Sequence, residues 1–247
     1  FSVFFKYGYH LRIFFYLIAN KSKYIYFPSV ALMKEAKQYY FLNNNLNKSC
    51  FIPNPINDYW ISNIYEFDNL AISEKKILFV GSFDYNKNLL AVFNACSILY
   101  ECRKDFEVEF VGGYEEDFKK LCKIDIIPKW ISISHKVEKE ELLLKYRSAN
   151  ILIVPSFLET FGMVYLEAIS QGCIAICSKG QGVDGLFKDE GVLYSINPND
   201  FVEISNTINN LLDVEVKISS AHLKKVLGPF SSNNVVDLYT CFLTNDY

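Results

Sequence analysis

The sequence predicts an α/β protein built on a doubly wound, Rossmann-like parallel sheet, and three observations carry that prediction. From Lys76 onward, short runs rich in β-branched residues recur at Ile77 to Val80, Val108 to Val111, Trp130 to Ile133, Ile151 to Val154 and Cys173 to Ile176. Most of these runs are close to continuously apolar instead of alternating, which is the pattern of strands covered on both faces. The stretches between them are each long enough to hold a crossover helix, as parallel neighbours require.

Each element has its own signal. Residues 1 to about 57 read as a smaller and incomplete α/β segment, with an apolar helix over Ile13 to Ala19, a strand at Tyr24 to Phe27, a helix from Ser29 to Phe41 and a strand ending at Phe51-Ile52. Two strands do not make a stable sheet by themselves, so this segment is expected to pack on further chain. The run Ile13 to Ala19 is too short to span a bilayer, and no small-residue cleavage site follows it. Pro53-Asn-Pro-Ile-Asn-Asp58 is a turn-rich stretch suited to a hinge. In the main sheet the crossovers fall at Lys87 to Tyr100, Glu115 to Cys122, Glu138 to Arg147 and Gly162 to Gln171. A short strand at Gly191 to Tyr194, a helix from Asp200 to Leu212 and an amphipathic stretch from Ser232 to Leu243 complete the chain. The organisation expected is therefore a segment over 1–57, a main domain over 58–230, and a C-terminal helix over 231–247 that packs back toward the first segment.

Composition narrows the function. A chain of 247 residues that is half hydrophobic buries one or two cores. A net charge of −3 offers no basic field, and Lys and Glu are interspersed along the surface segments, which argues against nucleic-acid binding. Seven cysteines without a C-x-x-C, together with three histidines, encode neither a disulfide framework nor a zinc site, and suit a reducing, cytoplasmic setting. Cys173 and Cys177 are expected on one face of a strand as small buried thiols.

The chemistry concentrates after the run Ile151 to Val154. Pro155-Ser-Phe-Leu-Glu-Thr-Phe-Gly-Met-Val-Tyr-Leu-Glu167 places Glu159 beside a glycine turn and Glu167 inside an apolar helix. Ligands of open α/β sheets sit at the carboxyl ends of strands, which is where this loop falls. If the helix opens near Gly162, the amides of Phe161, Gly162, Met163 and Val164 form a helix N-terminus suited to an anionic or hydroxyl-rich ligand. Glu167 lies further in, and its carboxylate can reach back to accept hydrogen bonds from a diol such as a ribose. The bland reading is a capping box over Ser156 to Glu159 with an exposed Glu167, but Gly162 would then fall inside the helix.

Three further features of the sequence bear on chemistry. Gly81, Ser82 and Lys87, between the first main strand and its helix, suit a diphosphate; a glycine turn with a solvated lysine is equally consistent. Gly180-Gln-Gly-Val-Asp-Gly185 matches G-x-G-x-x-G literally but follows the fifth strand and opens no long helix, so it is not a dinucleotide fingerprint. His135 reads as a surface or packing residue. No D-x-D occurs, so a carboxylate cradle for a metal-bound diphosphate is missing.

Taken in order, Gly81 with Lys87-Asn88, Phe110-Val-Gly112, the helix from Glu140-Glu-Leu to Ala149-Asn150, Glu159-x(7)-Glu167, Gly182-Val-Asp-Gly185 and Gly191-Val-Leu resemble the donor-binding half of a retaining GT-B glycosyltransferase of the bacterial group-1 family. The resemblance runs from about residue 24 to residue 212. It implies transfer of a sugar from a nucleotide diphosphate sugar, of UDP or GDP type, to a glycan or lipid-linked acceptor, with retention and with neither metal nor cofactor. Bacterial surface polysaccharide or lipopolysaccharide synthesis, and peripheral contact with the inner face of the cell membrane, follow from the same resemblance. Carried over by position, Glu159 is the catalytic carboxylate that holds the donor sugar hydroxyls, and Glu167 binds the ribose. Lys87 neutralises the leaving diphosphate beside Gly81 and Ser82, the amides of residues 161–164 face sugar or phosphate, and Lys136 and Val137 border the base. Asn54-Pro55-Ile56 matches the interdomain hinge.

Two departures qualify the resemblance. The family's arginine near the Gly81 loop is absent, since the chain has only Arg12, Arg103 and Arg147. The greater part of an acceptor domain would precede Phe1, leaving residues 1–57 as its remnant. A catalytically silent nucleotide-sugar-binding module is therefore the alternative reading, and an epimerase fits less well because acid-base groups for that chemistry are lacking.

Overall fold

Six parallel strands lie in the order β5-β4-β3-β6-β7-β8. They are β3 (Lys75–Val80), β4 (Phe106–Val111), β5 (Ile131–Ser134), β6 (Ile151–Ile153), β7 (Ile174–Ser178) and β8 (Leu193–Ile196). The computed structural model describes residues 17–36, 48–66, 75–213 and 218–244. From β3 the chain steps outward through β4 to β5, then returns to set β6 on the other side of β3, with Ile77 opposite Ile151. It continues away through β7 to β8. The order thus reverses between β3 and β6, and a crevice opens there at the carboxyl edge.

Crossover helices cover both faces. Helices α3 (Leu89–Cys102), α4 (Glu115–Cys122) and α7 (Phe201–Leu212) share one face, with α3 packed on α4 and on α7. On the other, α6 (Met163–Ser170) packs on α8 (Ser220–Leu227) and on the short α2 (Asp58–Ser62), while α5 (Lys139–Ser148) lies against β3. Because both faces are covered, every residue of β6 and β7 is buried, which explains why they are apolar up to the final Ser178. The core runs through Ile77, Phe79, Phe110, Ile151, Leu166 and Ile176.

The segment before residue 57 forms a two-stranded parallel sheet of β1 (Ile25–Phe27) and β2 (Ser49–Phe51), joined by α1 (Val30–Ala36) and further chain. The C-terminal helix α9 (Ser232–Thr244) packs against it, with Tyr239 edge-on to Tyr26 at 5.3 Å and Phe242 tilted on Tyr24 at 4.9 Å. The connection to the main sheet passes Ile52 and Ile56, both fully buried, and the Ile56 amide donates to the Phe230 carbonyl.

The structure departs from the sequence reading in several places. Helix α3 starts at Leu89 instead of Lys87, because Asn88 adopts a left-handed φ of 55° and donates its side-chain amide to the carbonyls of Pro155 and Pro198. Strand β7 begins at Ile174, one residue after Cys173; both thiols are buried, and Cys173 Sγ donates to the Tyr146 carbonyl. Strand β8 lies two residues later than expected, after Gly191 turns the chain at φ 71°. Helices α2 and α8 were unanticipated; each is short and begins at a side-chain cap, Asn57 and Ser219 respectively. Of the expected helix Ser29 to Phe41 the part after Ala36 lies outside the described residues, as does the run Ile13 to Tyr16. Residues 17–21 are helical, with Ala19 buried. No helix among the described residues is long and apolar enough to cross a membrane.

Candidate functional site

Two turns meet at the point where the strand order reverses. After β3, Gly81 leaves room for the stem of Lys87, whose Cγ would lie 3.4 Å from a Cβ at that position. Asp84 organises this turn, its Oδ1 accepting the Lys87 amide at 3.0 Å and its Oδ2 accepting the Ser82 hydroxyl at 2.5 Å. Ser82 is thus turned to Asp84 and offers the site no free hydroxyl proton. Gly112, at φ 125°, sits so close to the Gly81 carbonyl that no side chain fits between them.

After β6, Pro155 and Ser156 are buried and the chain turns through Phe157, Leu158 and Glu159. Lys87 Nζ lies 2.6 Å from Glu159 Oε2, with the two side chains 24% and 13% exposed. Helix α6 opens at Met163 behind Gly162, a left-handed residue at φ 90°. Ser156 and Glu159 therefore form no capping box. Tyr165 fixes this turn: its ring fills the place where a Gly162 side chain would be, and its hydroxyl donates to the Val154 carbonyl at 2.6 Å. The amides of Phe161, Gly162, Met163 and Val164 make no hydrogen bond among the described residues, so the helix end presents free donors beside Glu159.

Glu167 is half-buried on α6, and its Oε2 accepts the Tyr146 hydroxyl at a long 3.4 Å. Burial pushes its carboxyl up, and Tyr146, Lys139 and Trp60 offset this only in part. The group faces α5 and the end of α2; no hydrogen bond or ion pair links it to Glu159 among the described residues. Lys136 is exposed and Val137 half-buried in the β5–α5 connection at the same edge of the sheet. His135 is also exposed and rests on the ring of Tyr114 at 4.4 Å, as a packing residue would.

The Gly180 loop closes the site from the β7 side. At Gly182, φ 49°, a Cβ would strike the Phe161 carbonyl oxygen and stand 2.9 Å from Glu159 Cγ, so the literal G-x-G-x-x-G serves close approach to the Glu159 turn. Two residues here were missed in the sequence, Asn86 and Gln181, whose side-chain amides bond the backbone of Leu158 and Glu159. Neither arginine among the described residues reaches the Gly81 turn: Arg103 pairs with Asp105 and Asp213, and Arg147 bonds Gln171 and the Asn63 carbonyl. Arg12 lies outside the described residues. No group of three metal-ligating side chains occurs among the described residues.

An acidic side chain under a lysine, free helix-end amides and a crevice at the strand-order reversal together suit an anionic, hydroxyl-bearing ligand. Comparison with known proteins bears on family and fold. The sequence is similar to an O-antigen chain mannosyltransferase B of Escherichia coli, 30% identical over 132 residues, which are 52% of this chain and 34% of that protein. The structure resembles a sucrose-phosphate synthase from Thermosynechococcus elongatus, with a TM-score of 0.70 and 18% identity over 95% of this chain and 62% of that one. A trehalose-phosphate synthase from Burkholderia xenovorans follows, with a TM-score of 0.68 and 14% identity over 91% of this chain and 61% of that one. At those identities the likeness shows the fold, the Rossmann-like GT-B arrangement expected from the sequence. The chain spans about a third of the length of the mannosyltransferase it matches. Residues 63–225 match the family of glycosyl transferases group 1. The chain belongs to that family.

Proposed function

We propose that this chain carries the donor-binding half of a retaining, metal-independent glycosyltransferase. It would transfer a sugar from a UDP- or GDP-type nucleotide sugar to a glycan or lipid-linked acceptor in bacterial surface polysaccharide synthesis. The observation that carries this reading is the Lys87–Glu159 pair at the strand-order reversal, flanked by the free amides of α6. In this reading the diphosphate recruits Lys87 and those amides, spreading its charge over an ammonium and a helix end as the glycosidic bond breaks. Glu159, released from the lysine, holds the donor sugar hydroxyls and stabilises positive charge at the sugar carbon. Glu167 accepts the ribose hydroxyls, Gly81 admits the phosphates, and Lys136 and Val137 border the base. Residues 58–230 form the donor domain, residues 1–57 belong to the acceptor side, and helix α9 ties the two. Peripheral contact with the inner membrane face would bring lipid-linked acceptors to the cleft.

A second reading, a silent nucleotide-sugar-binding module, is favoured by one observation: both arginines among the described residues are engaged away from the Gly81 turn. Calorimetric titration with UDP, GDP and ADP tests donor binding, and the absence of saturable heat with all three rejects both readings. Turnover separates them, since the first expects donor hydrolysis or transfer that falls by at least about a hundredfold in Glu159→Ala. Activity unchanged by that substitution removes Glu159 from the mechanism.

A further inference from the structure

The turn carrying Glu159 follows β6 and lies between the turns that follow β3 and β7, the neighbours of β6 in the sheet. Each neighbour sends one side-chain amide across to it. Asn86 Nδ2 donates to the Leu158 carbonyl at 2.9 Å, and Asn86 Oδ1 accepts the Leu158 amide at 3.0 Å. From the opposite side Gln181 Oε1 accepts the Glu159 amide at 3.0 Å, while the Gly182 amide donates to the Glu159 carbonyl at 3.0 Å. The Phe157 amide donates to the Asn86 carbonyl at 2.8 Å. The amides of Phe157, Leu158 and Glu159 are thus all satisfied by two flanking loops, without a strand ladder.

We propose that Gln181 is a positioning residue for the transfer reaction, holding the Glu159 backbone in the direction from which its carboxylate reaches the donor sugar, with Asn86 steadying the other side. The inference rests on the donor-site reading of Glu159. Its logic is that the Lys87–Glu159 ion pair cannot be the lasting anchor of Glu159, because the diphosphate recruits the same lysine. Once Lys87 turns to its ligand, Gln181 and Asn86 still hold the turn. A backbone N–H can only donate, so the Gln181 side chain is fixed with its oxygen toward the Glu159 amide. Gln181 is not a core residue that happens to lie nearby: with Lys34 and Glu35 of α1 and Asp184 it lines a cleft of about 310 Å³. Gly182 makes the arrangement possible, since any side chain there would strike the Phe161 carbonyl.

The test compares the wild-type full polypeptide with Gln181→Met, which keeps length but loses the strong acceptor, and Gln181→Glu, which keeps an acceptor. Hydrogen exchange is read over residues 156–162, and kcat and KM are read with the UDP- or GDP-hexose that the wild type turns over. Gln181→Met is expected to speed exchange in that segment by about tenfold with strands β3 and β4 unchanged. It is expected to lower kcat by about ten- to a hundredfold while donor KM moves less than about threefold. Gln181→Glu recovers the protection and most of kcat. Should Gln181→Met not fold, Gln181→Ser carries the same expectation. Unchanged exchange, or faster exchange with kcat intact, overturns the proposal, as does a loss confined to KM. A wild type that neither binds nor turns over a nucleotide sugar refutes the donor-site reading instead, an outcome told apart because failure of the Gln181 proposal leaves the wild type active.

Discussion

Lys87 and Glu159 form a 2.6 Å ion pair that bridges the turns after β3 and β6, where the strand order reverses. Both side chains are mostly shielded from water, so the attraction is screened less than at an open surface. Removing the lysine strands the carboxylate.

Lys87→Met is therefore expected to cost about 1 to 3 kcal/mol of stability, read from urea unfolding. In the double variant Lys87→Met with Glu159→Gln the loss should be smaller than the sum of the single losses, by about 0.5 kcal/mol or more. Strict additivity would mean that the pair does not couple and that Lys87 is held by other contacts.

Glu167 shows the opposite balance. Its folded pKa is raised by burial, so between the ordinary carboxyl value of 4.5 and the raised value the folded state binds more protons than the unfolded chain. Its contribution to stability falls as pH rises through that window. Glu167→Gln should therefore be as stable as the wild type at neutral pH, or more stable by up to about 1 kcal/mol, while nucleotide affinity drops at least about tenfold. Melting curves across pH together with titration of UDP and GDP check both parts. A Gln variant that binds nucleotide normally would make Glu167 a packing residue.

The main sheet was legible because strand segments buried on both faces are apolar, as are Ile77 to Val80 of β3, all of β6 and Ile174 to Cys177 of β7. Element ends were less so. Asn88 ends the turn before α3 by going left-handed, a choice set by the carbonyls of Pro155 and Pro198 that its side chain reaches, and those lie far away in sequence. Helices α2 and α8 are single short elements whose apolar residues repeat too few times to show a period. In the site, carboxylates and a lysine near glycines were visible as chemistry. Asn86 and Gln181 were not, since an amide in a polar loop has no pattern until the fold brings Leu158 and Glu159 beside it. The one available signal was that Gln181 stands between two glycines in a motif with no dinucleotide role.

Two glycines of that loop make a matched pair. Gly182, at φ 49°, has the Phe161 carbonyl where its Cβ would stand, and Gly180, at φ 74°, has open space. Gly180→Ala should cost about 1 to 2 kcal/mol for the left-handed backbone alone. Gly182→Ala adds a clash against backbone that bears on Glu159, and is expected to cost about 1 to 3 kcal/mol more and to abolish donor turnover. Equal losses in urea unfolding would show that the loop is free to move off the Glu159 turn.

Glu109 supplies a pH test independent of the site. It stands in β4 with its side chain 6% exposed, taking Lys76 Nζ at 2.6 Å and Lys145 Nζ at 2.7 Å, and the Ser134 hydroxyl at 2.8 Å. Burial alone pushes the carboxyl up, but Lys145, Lys76 and Ser134 outweigh it and bring it from 4.5 down to about 2. A carboxyl whose folded pKa is depressed stabilises the protein above its unfolded value and loses that contribution as pH falls through the folded one. The stability that Glu109 lends should be complete above pH 4.5 and fade toward pH 2. Glu109→Gln is expected to lose about 3 kcal/mol at neutral pH, as when one partner of a buried ion network is removed. It should also show a flatter stability profile across the acid range, measured by urea unfolding at a series of pH values. A profile parallel to the wild type would mean that Lys76 and Lys145 hold their positions without this carboxylate.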